Sequence, residues 1–105
     1  MSYYQIYFHV PELHAEEVKK AIFEAGAGQI ENYDKCAWQT SGVGQFRPLE
    51  GSHPHLGMKG KLSKVDEVKV ETVYEESKLE AVVAALKAAH PYESVAYGVI
   101  KLEEF

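Results

Sequence analysis

Cysteine, tryptophan and proline are scarce in this chain of 105 residues: one Cys, one Trp and four Pro. Cys36 has no second cysteine to pair with, so no internal disulfide staples the fold, which agrees with a reducing compartment. Long hydrophobic runs are missing too. Nothing approaches the roughly 20 consecutive apolar residues of a membrane helix. The N-terminal MSYYQIYFHV has no basic segment and no small-residue cleavage pattern, so a cytoplasmic location is expected and a membrane partner is not. Positive charge is in short supply: 11 Lys and Arg stand against 16 Asp and Glu, a net charge of −5. The summed field repels phosphate backbones, which argues against nucleic acid as a partner. Lys59, Lys61 and Lys64 are the only loose basic group, and their spacing suits a solvated surface.

What is present suits a globular fold: 46% apolar and 26% charged residues, with no segment biased enough to serve as a linker. One domain spanning 1–105 is expected. Tyr4, Ile6, Phe8 and Val10 alternate with polar or aromatic neighbours, the period of a strand with one buried face, and Pro11 ends it. Val18, Ala21, Ile22 and Ala25 then form the stripe of a helix that Gly26 and Gly28 terminate. Residues 33–40 read as a strand, and Gly42-Val43-Gly44 as the turn of a hairpin leading into Gln45-Phe46-Arg47. From Pro48 to Ser63 no periodicity survives, and a loop of that length in a small domain points to function.

The pattern then recurs. Val68, Val70, Thr72 and Tyr74 alternate, and Ser77-x-x-Glu80 has the form of a capping box opening a second helix. That helix carries Leu79, Val82, Val83, Leu86 and Ala89 on one stripe and stops at His90-Pro91, before Val95, Tyr97 and Val99 in a closing strand. The displacement that carries Tyr4 onto Val68 also carries Glu16, Val18, Ala21, Ile22 and Ala25 onto Glu80, Val82, Ala85, Leu86 and Ala89. Two strand-helix-strand units at one offset predict an α+β, ferredoxin-like split βαβ sandwich, with an antiparallel sheet and two helices on one face. Tyr3, Tyr7 and Val73 would lie on the other face, so a second copy of the chain, in a homodimer or homotrimer, is the expected cover.

Catalytic residues are not apparent. Cys36 sits in a predicted strand and Ser41 lacks a strand-to-helix elbow, and neither has a base and an orienting acid in view. Cys36 reads as a packing residue, and His9 and His14, on the first strand and first helix, as surface groups. His53 and His55 form the candidate metal pair, because neutral imidazole suits Zn, Cu and Ni. Two ligands fall short of the three or four that zinc needs, so Cys36, Glu50, His90, Glu93 or a neighbouring subunit would have to contribute. No cofactor is identified beyond that possible divalent metal. The remaining ligand-binding candidates are Arg47, Glu50, His90, Tyr92 and Glu93. Arg47 offers a planar fork for a carboxylate or phosphate, or pairs with Glu50; no phosphate-binding Gly-Lys-Ser/Thr ending accompanies it. His90 suits the negative end of the second helix, while Tyr92 and Glu93 can orient it or meet a ligand cation.

Three runs carry a family resemblance: GAGQIENYDKCAWQT from Gly26, GVGQFRPLEGSHPHLG from Gly42 and AAHPYES from Ala88. Together they resemble the domain inserted within Nif-three-like proteins (the NGG-one-interacting-factor-three family), over Tyr3 to about Leu102. The inserted domain is similar to CutA and PII proteins, which are ferredoxin-like and assemble as oligomers. The resemblance therefore implies a stand-alone PII-like or CutA-like module. The flanking domains, whose His and Glu residues make the full-length proteins look metal-binding, have no counterpart in these residues, and neither the ATP and 2-oxoglutarate motifs of PII nor a copper set of CutA is reproduced. The expectation is a non-catalytic, oligomer-forming binding or regulatory module whose long loop and HPYE turn line a cleft near a subunit interface. A metal-dependent hydrolase of a small phosphate or nucleotide and a protein-interaction adaptor are the alternatives.

Overall fold

The computed structural model describes residues 2–103. The elements run β1 (Tyr3–Pro11), α1 (Ala15–Glu24), β2 (Ala37–Phe46), β3 (Ser63–Glu75), α2 (Leu79–Ala89) and β4 (Tyr97–Lys101), and short 3-10 turns at Glu12–His14 and Glu76–Lys78 lead into the helices. All strand pairings are antiparallel, and the sheet order is β2-β3-β1-β4. This is the ferredoxin-like arrangement predicted from the internal repeat. The repeat extends to the element ends: the displacement that carries Tyr4 onto Val68 also carries the first 3-10 turn onto the second and the start of α1 onto the start of α2.

The period of two decides which side of the sheet is buried. Ile6, Phe8 and Val10 of β1 join Val68, Val70 and Tyr74 of β3 in one cluster with Val18 and Ile22 of α1 and Val82 and Leu86 of α2. Thr72 is the polar member of that row, and its hydroxyl donates to the Cys36 carbonyl at 2.6 Å, which satisfies it, whereas the buried hydroxyl of Tyr74 in the same row has no partner among the described residues. Helix α1 ends as the glycines imply. Gly26 N–H donates to Phe23 O at 3.1 Å and Ala27 N–H to Ile22 O at 3.0 Å, the paired bonds of a Schellman motif, with Gly26 at φ 116°.

Two local expectations give way. Gly42-Val43-Gly44 is not a turn, because β2 runs unbroken from Ala37 to Phe46 and pairs along its whole length with β3. Neither glycine has a positive φ. Gly44 instead leaves room for the Glu67 side chain, which lies where a Cβ would stand, so its missing side chain serves packing rather than turning. The hairpin turn is the long segment 47–62, and β3 begins at Ser63, well before the alternation at Val68. The second correction concerns Ser77, which lies inside a 3-10 turn; α2 starts at Leu79 with Lys78 as N-cap and no side-chain cap. The tight turn occupies the residues a capping box would use. His14 likewise closes the first 3-10 turn and caps α1 rather than lying within it.

Strand β1 pairs with β3 only from Glu67 onward, whereas β2 follows β3 back to Ser63. The β2–β3 ribbon thus projects past the body of the sheet, in keeping with extents of 46 × 24 × 24 Å. This projection positions the site, because the long loop leaves from its end and folds back. Gly60 N–H donates to Pro48 O at 2.7 Å and closes the loop on itself.

Candidate functional site

The loop between β2 and β3 meets the turn between α2 and β4. The backbone N–H of His53 donates to Glu93 Oε1 at 2.9 Å, and the His55 ring lies 6.2 Å from that of Tyr92. Between them is a cleft of about 260 Å³ lined by His9, Gln45, Phe46, Pro48, Ser52, Pro54, His55, Leu56, Glu67, Tyr92, Glu93, Ser94 and Ala96. A small pocket with mainly apolar walls and a few polar groups has the usual character of a ligand site.

Tyr92 forms part of its wall. Its ring is 5.8 Å from Phe46 and 5.2 Å from His90, and its hydroxyl donates to Glu67 Oε2 at 3.2 Å. Burial, reinforced by the Glu67 carboxylate, pushes the phenol up to about 12, so Tyr92 stays a neutral donor. Glu67 holds its place because Gly44 across the ribbon leaves it space.

His90 is buried, and both its ring nitrogens are engaged. Nε2 contacts His9 O at 2.7 Å, and the backbone N–H of Tyr92 meets Nδ1 at 3.1 Å. A backbone N–H only donates, so Nδ1 accepts and Nε2 carries the proton given to His9 O. Burial holds the imidazole below its ordinary value; the bond to His9 and the Glu67 carboxylate oppose the shift, and His14 and His55 add to it. His90 is therefore a neutral brace that fixes the α2–β4 turn against the end of β1. The sign of its pH effect follows. A group whose folded value is depressed binds its proton more readily when unfolded, so the stability it contributes is present above the unfolded value near 6.5 and is lost as pH falls below it. The urea midpoint is expected to drop between pH 7.5 and pH 5, and by less in His90→Gln. An equal drop in both proteins would remove His90 from this role.

The structure sorts the sequence candidates. Tyr92, Glu93 and His55 line the cleft and His90 supports it. Arg47, Glu50 and His53 are exposed and absent from the lining, and Arg47 and Glu50 form no ion pair with each other. His53 contributes its backbone N–H, while the ring of His55 lies 5.3 Å from that of His14. Among the described residues no group of three His, Cys, Asp or Glu side chains is placed to hold a metal ion. Cys36 is half-buried, one residue before β2. Sequence reasoning missed Phe46, Glu67 and His9 as cleft residues. The outward position of His9 on β1 was legible; that Ala96 would lie beside it, bonded through His9 N–H at 3.1 Å, was not.

No family model matches the chain. A protein of Halalkalibacterium halodurans named GTP cyclohydrolase 1 type 2 homolog is 42% identical over 101 residues, which are 96% of this chain and 27% of that protein. A Bacillus subtilis protein of the same name is 43% identical over 91% of this chain and 26% of its own length. Among solved structures, a Bacillus cereus protein related to NIF3 superposes with a TM-score of 0.83 at 42% identity, covering 98% of this chain and 26% of that one. The periplasmic divalent cation tolerance protein CutA of Archaeoglobus fulgidus superposes with a TM-score of 0.67 at 21% identity, covering 98% of this chain and 86% of its own, a likeness of fold. The chain thus spans about a quarter of the curated relatives it matches.

Proposed function

We propose that this chain, the counterpart of the CutA-like segment of Nif-three-like proteins, is a non-catalytic binding module that self-associates and takes a small ligand in the Tyr92 cleft. The observation that carries this reading is the meeting of the long loop with the HPYE turn around one cleft, pinned by His53 N–H on Glu93 and walled by the Phe46, His55 and Tyr92 rings. The cleft supplies binding walls and a neutral phenol. Its histidine brace, His90, has both nitrogens committed to the backbone, which suits a structural role rather than that of a general base. The cyclohydrolase name belongs to relatives about four times longer and is not taken as the activity of this segment.

Self-association is supported by β2. It is an edge strand of ten residues, AWQTSGVGQF, without a charged residue or a proline, and Trp38 and Val43 are 69% and 67% exposed. Edges of this kind pair with other strands unless a charge or bulge prevents it. A second copy adding to β2 would also place its own residues close to the projecting ribbon that carries the cleft. Light scattering on the purified protein is expected to give a multiple of 11.8 kDa, and Val43→Lys with Thr40→Lys is expected to shift it toward the monomer. A parent protein that runs as a monomer at micromolar concentration refutes the assembly; binding is tested separately below.

A further inference from the structure

We infer that the Tyr92 cleft selects a small organic cation, an ammonium group on a compact apolar body. The inference rests on the reading of the cleft as a ligand site and specifies its ligand. The first observation is charge. The lining includes two carboxylates, Glu67 and Glu93, and no Lys or Arg, and Arg47, the fork suited to an anion, lies outside it. Each carboxylate has one oxygen engaged, by Tyr92 O–H on Glu67 and by His53 N–H on Glu93, and each keeps a second oxygen beyond those bonds. His90 behind Tyr92 is held neutral and adds no opposing charge at neutral pH. Apart from the imidazoles of His9 and His55, the lining offers a phosphate or carboxylate ligand no basic side chain and sets two carboxylates against it, while the net charge of −5 favours approach of a cation.

The second observation is the aromatic wall. Phe46 and His55 are tilted by 59° and 51° to Tyr92, at centroid separations of 5.8 and 6.2 Å, so neither ring stacks flat on it. Electron-rich ring faces attract ammonium groups within about 6 Å, most strongly where water is partly excluded. Pro48 and Pro54 complete a wall that suits methyl or methylene groups and offers a strongly hydrated metal ion few oxygen ligands. Rings, carboxylates and prolines together match an alkylammonium better than either a bare divalent ion or an anion.

The test is a calorimetric or NMR titration of the intact chain with choline, its neutral isostere 3,3-dimethyl-1-butanol, and inorganic phosphate. Choline is expected to bind and to perturb Phe46 and Tyr92, with the isostere roughly tenfold weaker and phosphate silent. Glu67→Gln and Tyr92→Leu, each checked for a native unfolding transition, are expected to weaken choline by about fivefold or more. Equal binding of choline and the alcohol, or binding of phosphate, overturns the cation selectivity while leaving a ligand cleft in place. Perturbation elsewhere on the chain overturns the site. Silence from all three probes counts against the cation inference; if a broad fragment screen by NMR also leaves the cleft unperturbed, the ligand-site reading falls with it.

Discussion

Phe8→Ala is expected to lower the unfolding free energy by about 3–5 kcal/mol, the usual cost of emptying a buried aromatic position. Phe8 is fully buried, and it sits where the sheet is widest in support, opposite Val70 of β3 on one side and Tyr97 of β4 on the other. Removing the ring opens a void between the two central strands and the helices, and the rigid pairing on both sides limits collapse into it. Small domains hold only about 5–15 kcal/mol in total, so the variant should unfold at much lower urea. Leu13 is the control: it is 96% exposed in the first 3-10 turn, and Leu13→Ala should stay within about 0.5 kcal/mol. A Phe8→Ala loss below about 1 kcal/mol would mean that the core is not arranged as described.

Gly28→Val is expected to cost about 3 kcal/mol or more, and its cause is backbone rather than burial. Gly28 has φ 82°, a left-handed conformation that disfavours a β-branched residue by roughly 1–2 kcal/mol alone. An added Cβ would stand 2.9 Å from Cys36 N, backbone that cannot swing away, and 3.1 Å from the Phe23 ring. The same residue is a clamp. Its N–H donates to Val73 O at 2.7 Å and its carbonyl accepts from Cys36 N–H at 3.0 Å, tying the end of α1 to β3 and to the entry of β2. Disturbing that clamp shifts the strand whose far end carries Phe46 into the cleft. Gly42→Ala is the matched control, since Gly42 is extended with open space where a Cβ would go; it is expected to be neutral or slightly stabilising. Similar urea midpoints for Gly28→Val and Gly42→Ala would contradict the clamp.

These contrasts show which parts of the molecule were legible beforehand. The alternation in β1 and β3 and the stripes of α1 and α2 name the core because a strand turns its side chains every second residue and a helix every three or four. Gly26 read correctly as a helix stop because a left-handed residue is needed where a Schellman motif closes. Gly42 and Gly44 misled for the converse reason: glycine marks a turn and a close side-chain approach with the same letter, and the Glu67 carboxylate that fills the space above Gly44 lies on another strand. Ser77 misled because a capping box and a 3-10 turn draw on the same residues, and here the turn occupies them.

The candidate site divides in the same way. Tyr92, Glu93, His55 and His90 could be singled out because their residue types are chemically capable and lie in an aperiodic loop and a helix-ending turn. Their grouping could not be read, since it depends on a hairpin that projects past β1 and returns its loop to a turn some forty residues later. Arg47 and Glu50 looked equally capable, yet the end of β2 leaves them exposed outside the cleft lining.

By itself the sequence determined the elements, the internal repeat, the buried face and hence the ferredoxin-like topology, because these follow from local periodicity and the need to bury one side of each element. Only the tertiary structure decided that β2 is one long uncharged edge, that Glu67 of β3 meets Tyr92 of the α2–β4 turn, that His90 is a neutral brace, and that the cleft presents carboxylates and rings rather than an arginine. Each of these depends on pairs distant in the chain, whose distance and charge are set by strand register and loop closure, and no local pattern encodes them.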